Sequence, residues 1–158
     1  MTAEVKPIPD AYRTATPYFI VNDAASAIEF YRTAFDATEL VRLTEPSGKV
    51  MHAELRINGA PLMLADEFPD MGYRSPQSIG GSPVSILLYV NDVDTQFKKA
   101  IAAGAKEMIP VQDQFDGDRR GTLIDPFGHV WLIATRKEDI SPDEMKKRFE
   151  IMMQQGGA

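Results

Sequence analysis

Apolar and polar residues alternate from Thr16 to Val21, the pattern of a β-strand with one buried face. Asp23 then offers an N-cap, and apolar residues recur at helical spacing from about Ala24 to Phe35. Three more strands are predicted, separated by a Pro-Ser-Gly turn and an Asn-Gly hairpin turn: Thr38–Thr44, Val50–Ile57 and Ala60–Ala65. The first half therefore reads β-α-β-β-β.

The second half repeats this order after a polar Gly/Pro/Ser stretch, 66–83, whose length of about eighteen residues is typical of a functional loop or lid. A strand over 84–90 leads to a helix from Val93 to Ala103. Three further strands are predicted near Glu107–Val111, Arg120–Ile124 and His129–Thr135. The chain ends with a capping box at 141–144 and an amphipathic helix.

Short motifs recur at one fixed spacing. Val21-Asn22-Asp23 returns as Val90-Asn91-Asp92, and the segment that starts at Gly59 is echoed by the segment that starts at Gly128. Both repeats are 69 residues apart, in the same order. This indicates a duplicated unit, so a residue in one half has a positional counterpart in the other.

Strand alternation assigns side chains to the two faces of each sheet. In the third strand one row is apolar: Met51, Ala53, Leu55 and Ile57. The opposite row is polar: His52, Glu54 and Arg56. In the second half, Leu87 and Tyr89 face away from the helix. Two such sheets side by side would enclose a cupped cavity.

Composition narrows the classes of partner. The 158 residues suit one domain or two halves sharing a core. A net charge of −6 argues against nucleic acid, which binds through Lys and Arg, and suits a cationic drug. No apolar run is long enough to span a membrane, and 1–9 lack the apolar core of a signal peptide. With no cysteine, the chain fits the reducing cytoplasm, which we take as its expected location.

Several segments resemble the vicinal oxygen chelate superfamily, which includes glyoxalase I, extradiol dioxygenases, fosfomycin resistance enzymes and bleomycin-binding proteins. The most specific segments are Thr16–Val21, Ala27–Tyr31, Met51–Leu55, Asp113–Phe115, Gly117–His129, Ile133–Thr135 and Glu138–Pro142. Together they are most similar to the PhnB-like branch of the glyoxalase/bleomycin resistance protein/dioxygenase family. The resemblance covers nearly the whole chain from Thr16 to Thr135.

The resemblance implies an α+β fold in which two tandem βαβββ modules form a cupped sheet, followed by a C-terminal helix. The expected organisation is a leader over 1–15, a first module over 16–66, a linker over 67–83, a second module over 84–136 and a capped helix and tail over 137–158. Members of this superfamily usually form homodimers. The Met/Phe stripe of the last helix, which one short helix cannot bury, agrees with that expectation.

Metal-dependent members of the superfamily bind a divalent cation through His or Glu at four equivalent strand positions. The resemblance transfers those positions to Thr16, Met63, Ser85 and Leu132. None of these residues is a strong metal ligand. We therefore expect no metal and no other cofactor, and a metal-dependent glyoxalase or dioxygenase is disfavoured.

Two functions remain open. The first is metal-free binding of a small organic ligand, with Tyr18, Leu87, Tyr89 and Leu132 as cavity residues, although the two leucines also suit an ordinary core. The second is a metal-independent enzyme, of lyase or isomerase type, in which His52 and Glu54 form an acid–base pair. Arg56 or Arg119 would then bind an acidic group of the substrate. A solvated row of charges on the sheet explains His52, Glu54 and Arg56 equally well.

Overall fold

The computed structural model describes residues 5–156, so positions 1–4 of the expected leader and 157–158 of the expected tail lie outside the described residues. The chain divides into two compact units between Gly80 and Gly81. The elements of the first unit are β1 (Tyr18–Val21), α1 (Ala24–Phe35), β2 (Thr38–Thr44), β3 (Val50–Ile57) and β4 (Ala60–Asp66). They form a mixed sheet of order β1-β4-β3-β2, in which β1 runs parallel to β4.

The segment that links the two sheets contains a 3₁₀ turn (Pro69–Met71) and one short helix, α2 (Pro76–Ile79). The second unit repeats the first with β5 (Ser85–Tyr89), α3 (Val93–Ala102), β6 (Lys106–Asp113), β7 (Asp118–Ile124) and β8 (Val130–Arg136). Its sheet has the corresponding order β5-β8-β7-β6. The chain then forms α4 (Pro142–Gln154).

The predicted fold class is confirmed: the chain is α+β, with two βαβββ units and a C-terminal helix. A cup shared by the two sheets stays a prediction. β1 begins at Tyr18 rather than at the predicted Thr16, and the intervening Pro17 has no N–H to donate to a ladder. No helix within residues 5–156 is both long and apolar enough to cross a membrane.

The helices α1 and α3 are each capped by an aspartate, and each buries one face on the sheet of its own unit. The side chain of Asp23 accepts from the Ser26 N–H, and that of Asp92 accepts from the Thr95 N–H, so each satisfies a free donor of the first turn. The fully buried side chains include Tyr31, Ile28, Leu55 and Leu64 in the first unit and Trp131, Leu123 and Ile133 in the second.

The register of the two sheets gives the duplication in detail. Tyr18 pairs with Met63, and Leu87 pairs with Leu132, so the outer pair of strands keeps the 69-residue offset. Met63 also pairs with Glu54, whereas Leu132 pairs with Thr122, so β7 corresponds to β3 at an offset of 68. The hairpin explains the difference, since four residues (57–60) separate one equivalent pair and five (125–129) separate the other.

Met51 does not lie in the buried row of β3, so that prediction was wrong. Leu43 pairs with His52 and Thr44 pairs with Val50, which leaves Met51 as the extra residue of a β-bulge. Val50 and Ala53 are consequently both buried, while Met51 is 42% exposed. A bulge rotates the side chains that precede it, and strict alternation along the sequence cannot detect that rotation.

Gly121 permits the close packing of α3 on the second sheet. A Cβ at this position would lie 2.8 Å from Phe97 Cε2 and 2.8 Å from Val111 Cγ2. The ring of Phe97 is buried and belongs to α3, so it has little room to retreat. At the corresponding position of the first unit the chain has Ala53.

We expect Gly121→Ala to lower the free energy of unfolding by about 1–3 kcal/mol through overpacking, measured by urea denaturation. Phe97→Leu in the same chain should restore part of that loss, because the smaller side chain vacates the space that the new methyl group needs. Additive losses in the double variant would contradict the steric explanation.

Candidate functional site

A cavity of about 530 Å³ lies within the first unit. Its floor is the face of the sheet opposite α1, and its wall is the start of the linking segment. The sheet contributes Tyr18, Ile20, Met51, Ala65 and Asp66, and the segment contributes Phe68, Met71 and Tyr73. Aromatic rings and thioethers thus dominate the lining, a composition typical of sites for small organic molecules.

The wall is held in place by its own backbone. Phe68 and Tyr73 exchange N–H···O bonds of 2.9 and 3.1 Å, closing a loop around the 3₁₀ turn. Gly72 ends that turn at a φ of +83°, a conformation that favours glycine. Lys49 ties the loop to the sheet, since its ammonium donates to the Glu67 carbonyl and lies 4.6 Å from the centre of the Phe68 ring. The predicted functional loop is therefore ordered where it lines the cavity.

Asp66 fixes the end of the cavity nearest α1. Its carboxylate is buried and accepts two backbone N–H bonds of 2.7 Å, one from Ala24 and one from Val50. The first bond holds the first residue of α1, and the second holds the residue at which β3 begins. Asp66 therefore connects the start of α1 to the bulged end of β3.

Four side chains form a continuous hydrogen-bonded chain beside the cavity. The Tyr18 hydroxyl lies 2.9 Å from His52 Nδ1, and His52 Nε2 lies 3.2 Å from Glu54 Oε1. The other oxygen of Glu54 accepts a hydrogen bond from the Tyr12 hydroxyl. We call Tyr12, Glu54, His52 and Tyr18 the relay, since each member bonds to the next.

Three members of the relay have shifted pKa values: Glu54, Tyr12 and Tyr18. Hydrogen bonds from Tyr12 and then from His52 hold the pKa of Glu54 below its ordinary value, so this carboxylate is ionised at neutral pH. The bond to Glu54 raises the pKa of Tyr12. Burial, with a smaller contribution from Tyr73, raises the pKa of Tyr18. Both phenols are therefore neutral at pH 7.

The segment that precedes β1 lies across Arg56. The guanidinium donates to the Ala11 carbonyl at 3.2 Å, and its carbon lies 5.0 Å from the centre of the Tyr12 ring. The side chain predicted to bind an acidic group is thus engaged by the leader. Sequence patterns gave no sign of this contact, because the leader has neither helical nor strand periodicity.

The predicted residues of the second unit lie on two different faces of its sheet. Leu87 and Tyr89 are each 46% exposed on the face opposite α3, where the Tyr89 hydroxyl donates to Asp118 at 2.6 Å. This bond raises the pKa of Tyr89. Arg119 instead points toward α3 and pairs with Asp94 and Asp113 at 2.8 and 3.1 Å. The structure therefore does not group Arg119 with Leu87 and Tyr89.

The positions to which the resemblance assigns the superfamily's metal ligands hold weak donors for a divalent cation. Thr16 and Ser85 offer neutral hydroxyl groups, Met63 a thioether and Leu132 no donor at all. Within residues 5–156 no three His, Cys, Asp or Glu side chains form a group that could hold a metal ion.

Sequence reasoning found Tyr18, His52 and Glu54, which the structure brings together, but it missed most of the cavity wall. Met51 was hidden by the bulge. The three residues from the linking segment, Phe68, Met71 and Tyr73, follow no periodic pattern. The only available signal was their concentration of large apolar side chains in a stretch otherwise rich in polar residues, Gly and Pro.

The class of protein is α+β, built from two βαβββ units with a cavity on one sheet. Sequence comparison then identifies its family. Residues 13–133 match the family model of the Glyoxalase/Bleomycin resistance protein/Dioxygenase superfamily. The chain belongs to this superfamily.

Individual relatives agree with that assignment. An uncharacterised protein from Mycobacterium bovis, Mb0911c, is 48% identical over 134 residues, which cover 83% of this chain and 88% of the relative. The crystal structure of TioX from Micromonospora sp. ML1 is similar with a TM-score of 0.61 and 26% identity, covering 77% of this chain and 96% of TioX. The PhnB protein from Bacillus cereus shares the fold at a TM-score of 0.62 and 20% identity, covering 78% and 99% of the two chains.

We expect Tyr12→Phe to make the free energy of unfolding change less as the pH is lowered through the acid range. Because the pKa of Glu54 is lowered in the folded protein, Glu54 stabilises the fold above its ordinary pKa of 4.5, and this contribution is lost as the pH falls through the lowered value. Removing the Tyr12 hydroxyl should bring the pKa of Glu54 closer to 4.5, measurable by ¹³C NMR of the carboxyl group. An unchanged titration of Glu54 would contradict the contact with Tyr12.

Proposed function

We propose that this protein binds a small, largely apolar aromatic molecule in the cavity of its first unit, without a metal ion. The observation that carries the proposal is the cavity itself. Its volume of about 530 Å³ lies within the usual range for small-molecule sites, which is roughly 300–1,000 Å³.

The lining supports an aromatic ligand in particular. The rings of Tyr18, Phe68 and Tyr73 offer stacking and edge contacts, and the flexible thioethers of Met51 and Met71 can adapt to an irregular outline. Tyr18 is 48% exposed although it stands on a sheet whose other face is core, so a ligand would cover apolar surface that now meets water. Leu87, Tyr89, Arg56 and Arg119 are not among the residues that line this cavity, and their predicted roles in binding stay predictions.

A metal-independent enzyme is the second candidate, and the relay favours it. Both ring nitrogens of His52 are engaged, one by Tyr18 and one by Glu54. In this candidate, a proton from a bound substrate would reach His52 through the Tyr18 hydroxyl, with Glu54 stabilising the imidazolium. Chemical conversion of a ligand during a binding experiment distinguishes this candidate from simple binding.

The proposal includes a cytoplasmic homodimer. The expected location follows from the composition, as stated above. The dimer is supported by α4, none of whose side chains is buried in the single chain. Four of its apolar residues are between 40% and 56% exposed: Met145, Phe149, Ile151 and Met153.

We expect Met51→Trp to fill part of the cavity and weaken ligand binding by about fivefold or more, because overpacking of this kind costs roughly 1–3 kcal/mol. Binding is measured by NMR titration of the ¹⁵N-labelled protein with a library of aromatic fragments. The matched control is Met108→Trp, another exposed strand methionine, which lies in the second unit outside the cavity. Equal losses in both variants, or fragments that never shift cavity resonances in the wild type, would refute the proposed site.

Sedimentation equilibrium should give the mass of a dimer for the wild-type chain. Met153→Glu places a charge on the exposed apolar side of α4 and should shift the equilibrium toward monomer by weakening association. Glu150→Gln, on the same helix, serves as the control. A wild-type mass of one chain at high micromolar concentration would overturn the dimer.

A further inference from the structure

We infer that the ligand of this cavity presents a hydrogen-bond donor to the hydroxyl oxygen of Tyr18. The inference rests on the proposed function and adds the polarity of the ligand. It follows from which group donates and which accepts in each hydrogen bond of the relay. The roles in one bond determine the roles in the next.

Glu54 sets the direction. It is ionised at neutral pH, and an ionised carboxylate can only accept hydrogen bonds. His52 Nε2, at 3.2 Å from Glu54 Oε1, must therefore carry the hydrogen of that bond. In neutral imidazole the second nitrogen is then an acceptor, so Nδ1 receives the hydrogen of the Tyr18 hydroxyl at 2.9 Å.

Tyr18 is left with an oxygen that can only accept. Its single hydrogen is committed to His52, and burial keeps the phenol neutral at pH 7 by raising its pKa. The ring of Tyr18 lines the cavity, so the free lone pair of the hydroxyl oxygen is available to a bound molecule. A tyrosine hydroxyl can ordinarily donate and accept hydrogen bonds, but the bond to His52 leaves Tyr18 able only to accept one from a ligand.

The acidic side chain of the lining offers a ligand no hydrogen-bond donor either. Asp66 is a lining residue, and both oxygens of its carboxylate accept backbone N–H bonds, from Ala24 and from Val50. In the described part of the chain, the residues that line the cavity include no lysine, arginine or histidine. The nearby ammonium of Lys49 is directed to the Glu67 carbonyl and the Phe68 ring. The cavity therefore selects aromatic molecules with an N–H or O–H group, neutral or cationic, over carboxylates and phosphates.

Indole and benzofuran test this inference because they have nearly the same shape and differ in an N–H donor against an ether oxygen. Each is titrated into the ¹⁵N-labelled full-length protein at pH 8, at which histidine side chains are ordinarily neutral, and dissociation constants are taken from the resonances of cavity residues. We expect indole to bind roughly fivefold more tightly than benzofuran, the difference that one net hydrogen bond supplies.

Two variants locate the source of the preference. Tyr18→Phe should reduce the indole-to-benzofuran ratio to about one by removing the acceptor while keeping the ring. His52→Phe should also lower the ratio, because it frees the Tyr18 hydrogen to donate to benzofuran. A ratio that persists in Tyr18→Phe, or that disappears only in Tyr73→Phe, would overturn the assignment to Tyr18.

The outcomes separate this inference from the proposed function. Equal binding of the two probes in the wild type, or tighter binding of benzofuran, would overturn the donor requirement and leave an aromatic-binding cavity intact. If neither probe shifts cavity resonances, the proposed function fails, and the inference fails with it.

Discussion

One buried carboxylate holds the candidate site together. Asp66 ends β4, and its two oxygens accept from the first residue of α1 and the first residue of β3. Both donors would otherwise lie buried without a partner, which costs about 1–3 kcal/mol for each group. Since the linking segment that walls the cavity starts at the next residue, the position of the loop, the helix and the bulged strand all depend on this side chain.

The chemistry of the cavity is assembled from parts of the chain that are distant in sequence. The leader supplies Tyr12, β1 supplies Tyr18 and β3 supplies the histidine and glutamate between them. Tyr18 belongs both to the relay and to the lining of the cavity, so its side chain joins the polar and the apolar parts of the site. Precise placement on strands, rather than on a mobile loop, is what allows hydrogen-bond direction to become a property of the site.

Most of the fold could be predicted from sequence because periodicity reports burial directly. The bounds of α1, β2 and β3 agree with the predicted spans, which are separated by capping and turn residues. The same alternation placed His52 and Glu54 on one face. It failed for Met51, where a bulge inserts a residue, and it had no information about Phe68 or Tyr12, which lie in segments whose conformation is set by turns and tertiary contacts. Arg119 shows a further limit: its charge indicated binding, but its partner Asp94 becomes visible only when α3 packs on the sheet.

The two units keep the same order of elements although the segments between those elements differ in length. From Ala24 to Thr38 the first unit uses one more residue than the second uses from Val93 to Lys106, and the longer hairpin at 125–129 returns the missing residue. The two length differences cancel. Only the strands between them, β6 and β7, therefore depart from the 69-residue offset. A comparison of the halves at a constant 69-residue offset would align His52 with Gly121, whereas strand register aligns it with Arg120. The counterpart of the relay histidine in the second unit is therefore Arg120, which pairs with Asp116 and Asp118, so equivalent points of the two sheets carry different chemistry.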